Sequence, residues 1–405
     1  MKKLLVFCTA FWMCLSFTAE AHEDHKQHQK AILAISVAFD VTGNLWRATS
    51  NGSFVQVDSS SDLGKHFSKA VSINPRAQNI AADGEARPKI AIGPEGHIYL
   101  TWTEALAKPF TGYVWFARSI NGGKTFEAPI IVHQDRAEIT HRFDALNVAP
   151  NGNITVAWVD KRDLISAKTV GKHYDGAAIY FATSSDKGAS FAVEQKLADS
   201  SCECCRIAFT NKPDGTVVAM WRHVFEGSER DHMIAEIPLN ASQAVVVKRA
   251  TFGRWKIDGC PHHGAALASG GEGKGWWGYH MAWFDGGNDD TGKDANLFYA
   301  RMDGEAWVSS PAKKFGNHKN QAGHPALLSI GEKVWLVWRE TDIKEGATKN
   351  VVMAMFSEDG GRSWGDASAI ASTMDKADYP QLLAKGNQPF LVWNTLKDGL
   401  KLVGL

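Results

Sequence analysis

Two short stretches concentrate the side chains able to do chemistry. Residues 200–206 read SSCECCR and residues 258–264 read DGCPHHG. Together they hold Cys202, Cys204, Cys205 and Cys260, with His262 and His263 following the last cysteine after a single proline. Thiolates with imidazoles suit Cu(I) or Zn(II). Cys-x-Cys-Cys departs from the Cys-x2-Cys of zinc ribbons, and close-packed thiolates favour Cu(I), more than one ion included. Two other chemistries are open to the same residues. One is disulfide formation. Cys204 and Cys205 are adjacent and poorly suited to pair together, so one bridge such as Cys205 to Cys260 is easier to place than two. The other is a nucleophilic thiol with His262 or His263 as its base, which leaves three cysteines unexplained. The choice depends on the fold that positions the two stretches.

The chain of 405 residues opens with Lys2 and Lys3, an apolar run from Leu4 to Phe17, and Ala19-Glu20-Ala21. That order is a signal peptide over residues 1–21, with an apolar run short for a membrane span. Cys8 and Cys14 fall inside it, and neither follows the small-residue run of a lipoprotein signal. The mature protein is therefore expected in the periplasm or outside the cell, where disulfides are permitted. It would begin with a His-rich tail over residues 22–30, HEDHKQHQK. His22, carrying the new amine, with His25 and His28 offers ligands to one Cu(II) ion; a solvated polar tail is the alternative. No later stretch is long and apolar enough to span a membrane. The 44 basic and 44 acidic side chains balance to a net charge of 0, which argues against nucleic acid as a partner.

The remaining chain is a repeat. PKIAIGPEGHIYLTW (88–102), ALNVAPNGNITVAW (145–158), IAFTNKPDGTVVAMW (207–221), ALLSIGEKVWLVW (326–338) and QLLAKGNQPFLVW (381–393) share one pattern, and ALASGGEGKGWWGYHMAW (266–283) is a longer copy. Each is an apolar run, a turn and an alternating run, which is a β-hairpin signature. The landmark is a tryptophan closing the second half: Trp102, Trp158, Trp221, Trp283, Trp338 and Trp393, with Thr49 in that place in a seventh copy, 36–49. Successive spacings are 53, 56, 63, 62, 55 and 55 residues. A further strand follows each hairpin, so the unit is a four-stranded antiparallel propeller blade. Seven hairpins predict an all-β propeller of seven blades, six being the alternative, over residues 31–405 as one domain. The last unit has room for three strands, and an N-terminal strand near 31–38 is expected to close the ring.

A second motif recurs between the third and fourth strands: SSDLGKHF (60–67), SINGGKTF (119–126), SSDKGASF (184–191) and SEDGGRSW (357–364). The pattern Ser-x-Asp/Asn-x-Gly-x-x-aromatic resembles the Asp-box, and with it the chain resembles the sialidase-like (BNR/Asp-box repeat) β-propeller family over nearly the whole mature length. The resemblance implies the fold strongly and the activity weakly, because fold does not fix function.

Propeller geometry places these turns on the bottom and the residues just before each first strand around the central funnel on top. Those positions read GEARP (84–88), ITHRF (139–143), CECCR (202–206), DGCPHH (258–263), AGHP (322–325) and ADYP (377–380). The two cysteine stretches thus become neighbours in adjacent blades, with His141 and His324 at equivalent places elsewhere. A sialidase would need three arginines for a carboxylate, a tyrosine–glutamate nucleophile pair and an aspartate acid. Arg87-Pro88 partly matches the family's Arg-Ile-Pro. Arg142 and Arg206 occupy equivalent positions, and Tyr379 is the candidate tyrosine. The pattern departs from the family in placing the arginines in consecutive blades, in counting seven hairpins rather than six, and in filling the funnel with cysteines. Ion pairing between blades is the other reading of the arginines.

The expectation is a monomeric, exported propeller that binds copper, with zinc as alternative, through Cys202, Cys204, Cys205, Cys260, His262 and His263. Its role would be metal handling or metal-dependent redox activity, with a metal-delivery or redox protein as partner. Exo-sialidase or related glycoside hydrolase activity is the alternative. A non-catalytic propeller with structural disulfides, binding protein or glycan, is the third.

Overall fold

A computed structural model describes residues 33–82, 84–238, 245–271, 275–289, 293–344 and 347–405. The signal sequence and the tail with His22, His25 and His28 lie outside the described residues. Seven antiparallel sheets follow one another along the chain, spanning residues 36–72, 89–131, 141–201, 208–249, 266–315, 323–373 and 381–404. Six have four strands in simple sequence order and the seventh has three. The innermost strands of neighbouring blades touch all the way round, the first against the seventh included. The ring is a seven-bladed β-propeller.

The N-terminal strand, Ser36–Phe39, closes the ring as the inner strand of the first blade, paired to Leu45–Ser50, rather than as a fourth strand of the seventh. Apolar packing carries that seam. Ile35, Val37 and Leu45 meet Val392, with Leu383, Leu400 and Leu402 against them. Two side chains add hydrogen bonds across it, from Gln381 to the Ile35 carbonyl (3.0 Å) and from Asn394 to the Leu33 carbonyl (2.9 Å).

The landmark tryptophans are core. Trp102, Trp158, Trp221, Trp338 and Trp393 are essentially inaccessible, and Trp283 is nearly so. Each cluster they join draws on two adjacent blades. Trp102 packs with Ala48, Val55 and Val57 of the preceding blade, for example. Truncating a buried aromatic of this kind to alanine costs about 3–5 kcal/mol, so the period of the sequence is the period of the inter-blade wedges.

The four Ser-x-Asp/Asn-x-Gly stretches fold alike. The serine hydroxyl bonds the Asp or Asn side chain two residues on and accepts the glycine N–H four residues on, as in Ser60–Asp62 (2.7 Å) and Gly64–Ser60 (2.8 Å). Ser119, Ser184 and Ser357 repeat both bonds. The four glycines have φ between 77° and 82°, a region open to glycine at no steric cost. One α-helix, Arg162–Thr169, stands outside the sheets among the described residues. No helix among them is long and apolar enough to cross a membrane.

Candidate metal centre in the funnel

The Cys-x-Cys-Cys loop enters the fourth blade as a tight, buried turn. The Cys202 amide donates to the Arg222 carbonyl (2.9 Å), and Glu203 pairs with Lys161 of the third blade. The three sulfurs turn inward together. Cys202 Sγ lies 3.7 Å from Cys204 Sγ and 3.6 Å from Cys205 Sγ. All three sulfurs fall within 4.8 Å of one another, and no other described His, Cys, Asp or Glu joins the group. Their shell is apolar: Ala81, Ala86, Phe143, Val159 and Ala177.

These spacings have a chemical reading. A disulfide needs about 2.05 Å between sulfurs, and none forms among the four cysteines. With metal–sulfur bonds of about 2.3 Å, sulfurs around a tetrahedral or trigonal ion stand roughly 3.8–4.0 Å apart. Hydrogen bonds with Cys204 and Cys205 hold the Cys202 thiol well below its ordinary range, and Arg222 adds a weaker pull. The same bonds push Cys204 and Cys205 up.

Arg222 is a fully buried cation behind the Cys202 sulfur. Its guanidinium donates to the carbonyls of Arg230 (3.1 Å), His263 (3.0 Å) and Phe284 (2.7 Å). Those neutral partners leave its charge to act on Cys202. No motif in the sequence singles out Arg222. It follows the landmark Trp221, as Arg339 follows Trp338, and a charge one residue past the wedge, at the funnel end of the strand, is the signal that could have found both.

Cys260 enters from the loop that opens the fifth blade, exposed where the other three are buried and outside the group of three sulfurs. His262 is also exposed, and it lines a funnel cavity of about 550 Å³ together with Cys204, Glu85, Arg339 and Tyr379. His263 turns away from the sulfurs. It stacks on Phe284 at 4.2 Å, lies 4.6 Å from the His324 ring, and burial pushes its pKa down to about 3. The expected six-ligand set thus resolves into three buried sulfurs, one exposed sulfur, a cavity-lining imidazole and one imidazole, His263, that faces His324 instead.

Glu85 belongs to no such motif either, and it ties the two cysteine loops together. Its carboxylate accepts the Arg206 amide (3.0 Å), one residue past Cys205, and the Gly264 amide (3.0 Å), one residue past His263. Burial pushes the Glu85 carboxyl up, but Arg206 and His324 outweigh it and hold the group below its ordinary range. A Cβ on Gly264 would fall 2.2 Å from Arg206 Cγ and 2.8 Å from Glu85 Oε2, so only glycine fits this close approach.

The other expected funnel residues divide. His324 stacks on Tyr379 at 3.4 Å and places Nδ1 3.6 Å from Glu85. His262 and His324 both have φ of 53°, uncommon for residues with a Cβ and typical of functional rims. His141 does not reach the cysteines. It stacks on His133 at 4.0 Å, with Asp160 at 3.7 Å, in a buried cluster of the third blade. Arg87 is clamped to Asp378 at the ring seam. Arg206 donates to the carbonyls of Ala265 (2.8 Å) and Pro325 (2.6 Å). Arg142 lies over Phe143. Arg87 and Arg206 are thus each held by partners within the frame.

No protein-family model matches the chain, and no curated protein matches it. Solved structures do. An α-L-arabinofuranosidase from Fusarium graminearum is 12% identical, covering 82% of this chain and 94% of its own, with a TM-score of 0.50. A protein of unknown function from Dyadobacter fermentans is 15% identical, covering 80% and 94%, with a TM-score of 0.48. The NanB sialidase from Streptococcus pneumoniae is 7% identical, covering 78% and 66%, with a TM-score of 0.47. At these identities the likeness is one of fold, and the fold is a β-propeller.

Proposed function

We propose that this protein binds a soft metal ion, copper(I) first and zinc second, at Cys202, Cys204 and Cys205 on the funnel side of the propeller, and that it handles that metal after export. The observation that carries the reading is the packing of three sulfurs at coordination spacing in a buried, apolar pocket. Multiple thiolates there are unfavourable without a cation. A soft ion supplies the charge, with Arg222 supplying part of it from behind. Three sulfurs without a nearby imidazole suit Cu(I); four-coordinate zinc would recruit Cys260 as well. A delivery or redox protein as partner belongs to the same proposal.

The test is to express the mature protein in the periplasm with copper supplied, then measure bound metal and free thiols on one sample. Copper bound at one or more equivalents, and lost in Cys202→Ser, is expected. Absence of copper and zinc, with all four cysteines oxidised, would favour the disulfide-stabilised scaffold and remove the metal reading. The glycosidase alternative keeps the fold likeness in its favour. Its carboxylates are poorly placed, because Glu85 and Asp378 are both held by arginines.

A further inference from the structure

We infer that Cys260, with His262 beside it, is an exchange arm: the ligand that takes the metal from a donor in the funnel and passes it to the three buried sulfurs. The inference rests on the metal reading above and concerns how that site fills and empties.

The site is built asymmetrically. Cys202, Cys204 and Cys205 are 2%, 5% and 3% exposed, and an incoming ligand cannot reach around them. Cys260 is exposed, in a run where Asp258, Gly259 and His262 are exposed too. Two residues on from it, His262 lines the funnel cavity, and Cys204 is the residue of the buried set that lines it too. The path from solvent to the sulfur cluster therefore runs through the cavity that His262 and Cys204 share, with Cys260 two residues away on the same exposed run.

The two halves are held differently. The buried loop is fixed by the Arg222 carbonyl, by Lys161 and by Glu85. The arm is anchored behind His263 by the Gly264–Glu85 bond, while Cys260 projects ahead of that anchor. Thiolate-bound soft ions move by associative exchange, one metal–sulfur bond forming before another breaks. Cys260 can hold the ion together with a donor's ligand, then share it with Cys204 as the donor leaves. No electron transfer is involved, and any proton displaced from an incoming thiol passes to solvent or to the departing donor ligand. The 550 Å³ cavity gives room for a small chelate or for a donor's ligand-bearing loop.

A kinetic and an equilibrium measurement on the full mature chain separate the roles. Wild type and Cys260→Ser are loaded with Cu(I) without oxygen. Transfer to and from bathocuproine disulfonate is followed by absorbance, and affinity is read from the equilibrium competition. An exchange arm predicts that loading and unloading slow together by roughly tenfold or more, the scale on which losing an assisting ligand is felt, with a smaller change in affinity. Alkylating Cys260 in the folded apoprotein should reproduce the slowing. Faster unloading with weakened affinity would make Cys260 a resident fourth ligand and overturn the inference, as would unchanged rates. Failure of the underlying metal reading looks different: Cys204→Ser would then bind the same metal as wild type, or neither protein would bind any.

Discussion

Arg87 and Asp378 form a buried two-pronged ion pair across the seam between the start of the second blade and the start of the seventh, at 2.5 and 2.6 Å. Arg87 also donates to the carbonyls of Gly84 (2.6 Å) and Ile35 (2.9 Å), so one side chain joins three segments around the point where the ring closes. Removing one partner leaves the other charge buried alone, which typically costs about 3–5 kcal/mol. Arg87→Met should lower unfolding stability by that order in urea titrations while metal stoichiometry stays as in wild type. A loss of bound metal without loss of stability would return Arg87 to the binding site.

The thiols give a second prediction. In native apoprotein kept reduced, one thiol should react quickly with a bulky disulfide reagent and three should be protected; all four should react after denaturation. The fast one should be Cys260, identified by mass spectrometry, because it alone is exposed. Four equally fast thiols would contradict the buried packing of Cys202, Cys204 and Cys205.

The repeat made most of this legible. Hairpin spacing and the landmark tryptophans place every blade, and the register of first strands sets the two cysteine loops at the entries of adjacent blades although they are far apart in sequence. What the sequence hides is direction. His262 and His263 are neighbours, yet one lines the cavity and the other stacks on Phe284, because His262 sits at positive φ and turns the chain between them. His141 shares a repeat position with the cysteine loops but packs on His133, from the connection between the second and third blades. Glu85 and Arg222 act through buried backbone partners that no spacing pattern records.

Acid should destabilise the fold. His133, His232 and His280 are fully buried. Burial pushes His133 down to about 2 and His280 to about 3, and it holds His232 well below its ordinary value. In the unfolded chain each titrates near 6.5. A depressed folded value means the stabilisation is fully present above about pH 6.5 and is lost as pH falls toward the folded values, because only the unfolded chain takes up the proton. Each histidine contributes up to about 1.4 kcal/mol per pH unit in that window. The urea midpoint should therefore hold from pH 8 to 7 and fall steeply from 6 to 5. A flat midpoint down to pH 5 would show that these rings are hydrated or charged in the native protein.

Glu85 should matter to metal binding without touching the metal. Its carboxylate holds the amides of Arg206 and Gly264, fixing the buried sulfur loop against the arm that carries Cys260. Hydrogen bonds to a charged acceptor contribute about 1.5–3 kcal/mol each, and supporting groups of this kind tune metal affinity by roughly 10–100-fold. Glu85→Ala should therefore keep all four thiols, lose several kcal/mol of stability and weaken copper affinity on that scale. Arg87→Met is the matched comparison, since it destabilises the ring at the seam and leaves the two loops braced. If both variants lose stability alike and neither loses affinity, Glu85 is a seam residue only. If Glu85→Ala alone loses affinity, the carboxylate sets the distance between the two halves of the site.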